Sequence, residues 1–183
     1  MGFFRTFLEG KRKLFWTLAG CTFVVDQATK SLLWQHPGGS RPDIVLVPHV
    51  LRIISHAGNV KGALGLGPSG PLFYIIAAVV GLAAVVVFFL ATDPRKALAH
   101  VALGMLAGGA LGNMLDRIVL GVVRDFIDLH WGESLHWHTF NAADAAICMG
   151  FALIVYDTFL GSPDERANEK RRGPAQESKR YGT

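Results

Sequence analysis

Residues 71–91, PLFYIIAAVVGLAAVVVFFLA, decide the fold of this chain. A helix rises about 1.5 Å per residue, so a run of this length reaches roughly 30 Å, the thickness of a bilayer's hydrocarbon core. The stretch is centred on Ala77-Ala78-Val79-Val80-Gly81-Leu82 and reads as carrying no charge and no strongly hydrogen-bonding side chain, which makes it scaffold rather than a bearer of chemistry. Working outward, Leu14 to Leu33, Ala97 to Leu115 and Thr139 to Leu160 are apolar runs of similar length. The sequence therefore predicts an all-α membrane protein of four transmembrane helices, at about 14–33, 71–91, 97–115 and 139–160.

Composition agrees. Of 183 residues, 51% are hydrophobic and only 17% are charged, and the apolar residues come in blocks rather than at the period of an amphipathic soluble domain. The net charge of +4 does not point to nucleic acid, because many basic residues flank the apolar blocks, where anionic membrane lipid is the fitting partner. Arg5, Lys11, Arg12 and Lys13 precede the first span, Arg95 and Lys96 join the second to the third, and six Lys and Arg follow the fourth. The opposite loops hold only Arg41, Arg52 and Lys61, then Arg117 and Arg124. By the excess of cationic residues in cytoplasmic loops, both termini face inward and the two longer loops face outward. Cys21 and Cys148 lie inside apolar stretches and indicate neither a disulfide framework nor a paired-Cys metal site. Leu18-Ala19-Gly20-Cys21 looks like a lipoprotein cleavage box, but the apolar run before it is too short for a removable signal and continues through Val25, so it reads as an uncleaved first span.

Outside the spans, Ile44 to Val47 and Val50 to Ser55 are β-branched runs interrupted by Pro48, which predicts a small β platform within an outer segment of about 36–70. A second outer loop covers 116–138. The spans, platform and loop form one unit over 1–161, and the polar, basic residues 162–183 read as a disordered cytoplasmic tail.

Charges inside membrane helices are expensive, about 2.5 to 3.5 kcal/mol each at the bilayer centre on insertion scales, so their placement is informative. With the orientation above, Asp26 and Lys30 fall at the outer end of the first span, Asn113, Asp116 and Arg117 at the outer end of the third, and Asp144 just inside the fourth. Asp125 and Asp128 fall in the loop between. Local pairing accounts for some of these. Asp26 and Lys30 are four apart on one helix face, as are Asn113 and Arg117, with Asp116 beside them. Gly104, Gly108 and Gly112 make a small-residue stripe that lets another helix approach closely. Asp144 has no cation at helical spacing in Phe140-Asn141-Ala142-Ala143-Asp144-Ala145-Ala146-Ile147 and requires a partner from elsewhere. Asp157, beside the basic tail, reads as an ordinary surface carboxylate. His130, Glu133, His136 and His138 cluster in the outer loop, but no fixed ligand spacing accompanies them, and Trp131 and Trp137 are expected at a membrane boundary, so no metal is assigned.

The runs Gly112-Asn113-Met114-Leu115-Asp116-Arg117, Gly121-Val122-Val123-Arg124-Asp125-Phe126 and Phe140-Asn141-Ala142-Ala143-Asp144 resemble bacterial lipoprotein signal peptidase, or signal peptidase II, and Asp26-Gln27-Ala28-Thr29-Lys30 looks like that family's first motif. The resemblance runs from about Leu14 to Leu160. It implies a four-helix aspartic endopeptidase of the bacterial cytoplasmic membrane, without a cofactor, that cuts lipidated prolipoproteins just before the diacylglyceryl-cysteine, at the outer face. By motif, Asp125 and Asp144 would be the catalytic pair, with Asp116 a rival for Asp125. Asp26, Lys30, Asn113, Asp116, Arg117 and Asn141 would shape or support the site. One motif departs from the pattern: the family shows Asn, one residue, then Gly-Ala and an aromatic, whereas Asn59-Val60-Lys61-Gly62-Ala63-Leu64-Gly65 has two intervening residues and no aromatic. Asn59 and Gly62 carry over to substrate binding on that altered spacing.

Two carboxylates suit the implied reaction. Like charges held close cannot both ionise, so such a pair shares a proton, and one member can take a proton from water while the other gives one to the amide. The competing class is a small ion-coupled transporter in which Asp26 and Asp144 relay protons. It needs polar residues spread through the bilayer depth, whereas here they gather at one side.

Overall fold

The computed structural model describes residues 10–35, 42–59, 71–132 and 135–159. Lys61, Gly62, Glu133 and the 162–183 tail lie outside the described residues. Among the described residues, four helices and four strands follow one another as α1 (Arg12–Leu33), β1 (Ile44–Val47), β2 (Leu51–Asn59), α2 (Pro71–Ala91), α3 (Ala97–Leu120), β3 (Val123–Trp131), β4 (Leu135–His136) and α4 (Ala142–Phe159). Helix α3 is central and packs against the other three.

Glycine makes this close packing possible. A Cβ on Gly104 would stand 2.6 Å from the Phe15 carbonyl oxygen, and one on Gly108 would stand 2.5 Å from that of Ala19. On Gly112 it would strike the Asp26 carboxylate. The expected stripe therefore faces α1 along its length and lets the two backbones touch. Gly109 and Gly150 do the same between α3 and α4, meeting the Ala143 and Ala102 carbonyl oxygens at 2.7 and 2.8 Å. Phe15, Ala19, Phe89, Leu103 and Ala107 form the buried apolar core.

Among the described residues, three helices, α2, α3 and α4, are long and apolar enough to cross a membrane. The expectation of four spans is met in three of them. Helix α1 has the length, 22 residues, but its apolar character is diluted by Arg12, Lys13, Asp26 and Lys30. On α2 only Phe89 is buried, and Leu72, Phe73, Ile76, Val80, Val87 and Phe88 are exposed, the pattern of a helix solvated by lipid.

The structure is mostly helical rather than all-α. An antiparallel sheet in the order β1-β2-β3-β4 includes residues that the sequence reading placed in an outer loop over 116–138. Helix α3 runs past Leu115 to Leu120, with Asp116 ion-paired to Lys30 and Arg124 within its last turns. Gly121 ends it in the left-handed conformation, φ 74°, with its N–H donating to the Arg117 carbonyl at 3.2 Å. The alternating run that follows becomes β3, with Val123, Asp125, Phe126 and Asp128 buried. The platform hairpin forms as expected, with Pro48 in its turn. Helix α4 begins at Ala142 rather than Thr139.

Candidate active site

Polar residues from four elements converge at one end of the helices. The last turns of α1 supply Asp26 and Lys30, the C-terminal half of α3 supplies Asn113, Asp116 and Arg117, β3 supplies Asp125, and the start of α4 supplies Asn141 and Asp144. The cap of α4 sets the last two. Asn141 Oδ1 accepts from the Asp144 backbone N–H at 3.0 Å, and Asp144 Oδ2 accepts from the Asn141 backbone N–H at 3.2 Å, a reciprocal capping box that satisfies both donors. The box turns the Asn141 amide outward, where Nδ2 donates to Asp125 Oδ1 at 2.7 Å. One asparagine thus touches both carboxylates.

Lys30 organises the other side. Its ammonium lies 2.8 Å from Asp26 Oδ2 and 3.2 Å from Asp116 Oδ2, and it donates to Asn113 Oδ1 at 2.8 Å. Lysine can only donate, so Asn113 must present oxygen to it and Nδ2 to Asp144 Oδ1, at 2.8 Å. Asp26 Oδ1 accepts from the Ala143 backbone N–H at 2.9 Å, which ties α1 to the first turn of α4. Asp26 and Lys30 are wholly buried, and each has charged partners.

The carboxylates divide into two classes. Asp26 and Asp116 are ion-paired, Asp116 also receiving Arg124 Nη2 at 2.7 Å. Asp125 and Asp144 have no cation within 4 Å among the described residues and are held by amides instead: Asp125 by Asn141 and, at 3.0 Å, by Asn59 Nδ2, and Asp144 by Asn113 and the Asn141 backbone. Burial, followed by the adjacent Asp144 charge, pushes the Asp125 carboxyl up to about 7, against the opposing pull of the two asparagine bonds. Asn59 reaches Asp125 because β2 pairs Ala57 with Asp125, and Asn59 lies two residues along on the same face. Its position is therefore compatible with the altered spacing of its motif.

Arg117 does not bridge to Asp116. It donates to the Asn113 carbonyl at 3.3 Å and stands over the Tyr74 ring, 5.0 Å from its centroid. Tyr74 qualifies the sequence reading of α2 as scaffold with no charge and no strongly hydrogen-bonding side chain. Its position near the helix start, in register with the acidic ends of the other spans, was the available signal. Arg124 and Gln27 were also missed. Gln27 Nε2 donates to Asp26 Oδ2 at 3.1 Å, and its Oε1 accepts from Arg124 Nη2 at 2.7 Å. Asp128 is occupied elsewhere, paired with Arg52 Nε at 2.5 Å.

A bundle of apolar helices that closes one end over a buried, carboxylate-rich polar centre is the build of an integral membrane enzyme. The family model described as signal peptidase (SPase) II matches residues 18–160. The lipoprotein signal peptidase of Geobacter metallireducens is 34% identical over 160 residues, covering 86% of this chain and 96% of that protein. The one from Aquifex aeolicus is 31% identical, covering 86% and 92%. A solved structure described as a bacterial membrane enzyme at 2.3 Å resolution superposes with a TM-score of 0.68 at 30% identity, covering 81% of this chain and 92% of that one. This chain belongs to the signal peptidase II family.

Proposed function

We propose that the protein is an aspartic endopeptidase that cleaves diacylglyceryl-modified prolipoproteins just before the lipidated cysteine, with Asp125 and Asp144 as its catalytic pair. The observation that carries this reading is the division of the carboxylates. Asp26 and Asp116 are engaged by lysine or arginine, whereas two carboxyls joined through Asn141 and lacking an ion-pair partner among the described residues can share a proton. The ionised member takes a proton from water as the oxygen attacks the scissile carbonyl carbon. The protonated member gives its proton to the departing amide nitrogen as the C–N bond breaks. Asp116, with Arg124 and Lys30 on it, is a support rather than the rival base. In this reading Asn59 and Arg117 contact the substrate as well, and Gly62 belongs to the same proposed substrate loop. The prolipoprotein substrate class is supported by the names of the relatives.

The same reading makes α1 the fourth span. It lies along α3 from Phe15 to Asp26, so a bilayer crossed by α3 is crossed by α1 as well, its inner charges neutralised by partners. The unit over 1–161 is then one peptidase domain in the bacterial cytoplasmic membrane, its polar centre at the outer interface and both termini, with the 162–183 tail, in the cytoplasm. A proton-relay transporter is disfavoured by the gathering of the buried carboxylates at one end.

The test is cleavage of a diacylated precursor by purified protein. Asp125→Asn and Asp144→Asn are each expected to lower kcat by at least about 10³-fold, the scale of a lost general acid or base, with the protein still folded in the membrane. Normal cleavage by either variant removes that residue from the pair.

A further inference from the structure

Arg124 precedes Asp125 on β3 and sends its side chain the other way. Its guanidinium donates to Asp116 Oδ1 from Nη2 at 2.7 Å and from Nε at 3.2 Å, and Nη2 also donates to Gln27 Oε1 at 2.7 Å. The Arg124 backbone N–H donates to Asp116 Oδ2 at 3.0 Å, and Nη1 reaches Ser31 Oγ at 3.4 Å. One residue thereby fastens the start of β3 to both α1 and α3. Asp116 is gripped from behind by Lys30, which also holds Asn113, and Asn113 donates to Asp144.

Asp125 sits at an irregular point of the sheet. The β2–β3 ladder changes register between Ile53 and Ala57, immediately beside the Ala57–Asp125 pair. A bulge bends and twists a strand locally, and the two-residue period means that any roll there re-aims every side chain on it. At that point a planar guanidinium bonded to a wholly buried carboxylate adds a fixed direction to the start of β3.

We infer that Arg124 is a positioning residue for the proposed cleavage: by clamping β3 to α1 and α3 it fixes the aim of Asp125 across the site toward Asp144. The inference rests on the two-aspartate reading, so its test includes a control for that reading.

The experiment measures kcat and KM for a diacylated precursor peptide with full-length protein, for Arg124→Ala, Arg124→Lys, Asp116→Asn and the Arg124→Ala/Asp116→Asn double variant, with Asp125→Asn as control. Arg124→Ala is expected to lower kcat by about 10²-fold, the scale of a displacement near 1 Å at a reacting group, while KM stays within about threefold. Arg124→Lys keeps the charge without the planar fork and is expected to recover about a tenfold part of that loss. The double variant falls no lower than the worse single, because both break one link. Overturning results are a folded Arg124→Ala enzyme with kcat within about twofold of the parent, a rise in KM alone, or losses that multiply in the double variant. Should Arg124→Ala not fold, Arg124→Lys decides: a loss of kcat near tenfold at unchanged melting temperature supports the clamp, and parental kcat overturns it. Activity retained by Asp125→Asn overturns the catalytic pair, whereas its loss beside a parental Arg124→Ala overturns the clamp alone.

Discussion

Asp125 accepts one amide hydrogen on each carboxylate oxygen, from Asn141 and Asn59, and is 1% exposed. An amide donor stabilises an ionised carboxylate far less than an ammonium would, so burial and the Asp144 charge prevail, and the group titrates near 7 instead of its ordinary 3.8. This has a sign in stability. Between about pH 4 and 7 the folded protein holds a proton at Asp125 that the unfolded chain has released. The stabilisation from this carboxyl is therefore full below about pH 4 and is lost as pH rises through about 7. Asp125→Asn cannot titrate, so its stability relative to the parent is expected to improve as pH rises through that window, by up to ~1.4 kcal/mol per pH unit. Thermal unfolding of both proteins from pH 4 to 8 at fixed ionic strength measures it; a difference that does not change with pH would mean that folding leaves this carboxyl at its ordinary value.

At the scale of elements, the glycine stripe on α3 determines whether Lys30 can reach across to Asp116 and Asn113 at all, since those bonds need the α1 and α3 backbones in contact. Gly108→Ala would put a methyl 2.5 Å from the Ala19 carbonyl oxygen and 2.7 Å from Thr22 Cβ, with no flexible side-chain end to yield. The expected loss is about 1–3 kcal/mol of stability, the range for overpacking, with reduced cleavage. Gly81 on α2 has nothing within 4 Å of a built Cβ, so Gly81→Ala is expected to lie within about 0.5 kcal/mol of the parent or to stabilise. Melting temperatures in one detergent separate the two, and equal losses would refute the close-approach role. That stripe was legible in the sequence, as were the apolar runs, the β hairpin around Pro48 and the paired Asp26 and Lys30, because each is a local periodicity or spacing. The length of α3 and the strand that follows it were not: Asp116 is accommodated in the helix by Lys30, 86 positions earlier in the chain, and by Arg124, partners that no local spacing shows. Tyr74 escaped for the same reason, its role being set by Arg117 on another helix.

For the whole molecule the charges sort by end. Lys11, Lys13, Arg95 and Lys96 are exposed at the end where α1 and α3 begin, and Arg12 joins that end to α2 through the Leu90 carbonyl at 3.0 Å. At the opposite end the described arginines are engaged by the protein itself, Arg52 by Asp128, Arg117 by Tyr74 and Arg124 by Asp116. Exposed cations flanking spans favour the cytoplasmic side, so the polar centre and the sheet should face outward, where a secreted precursor presents its cleavage site. Trp131 and Trp137, both exposed on that side, suit the interfacial level. The arrangement can be read with thiols. In a variant with Cys21→Ala and Cys148→Ala, a membrane-impermeant maleimide added to intact spheroplasts is expected to label Trp131→Cys at once and Arg95→Cys only after the membrane is permeabilised. Labelling in the reverse order would place the two aspartates on the cytoplasmic face, away from any exported substrate, and the peptidase reading would fall with it even if both carboxylates proved essential.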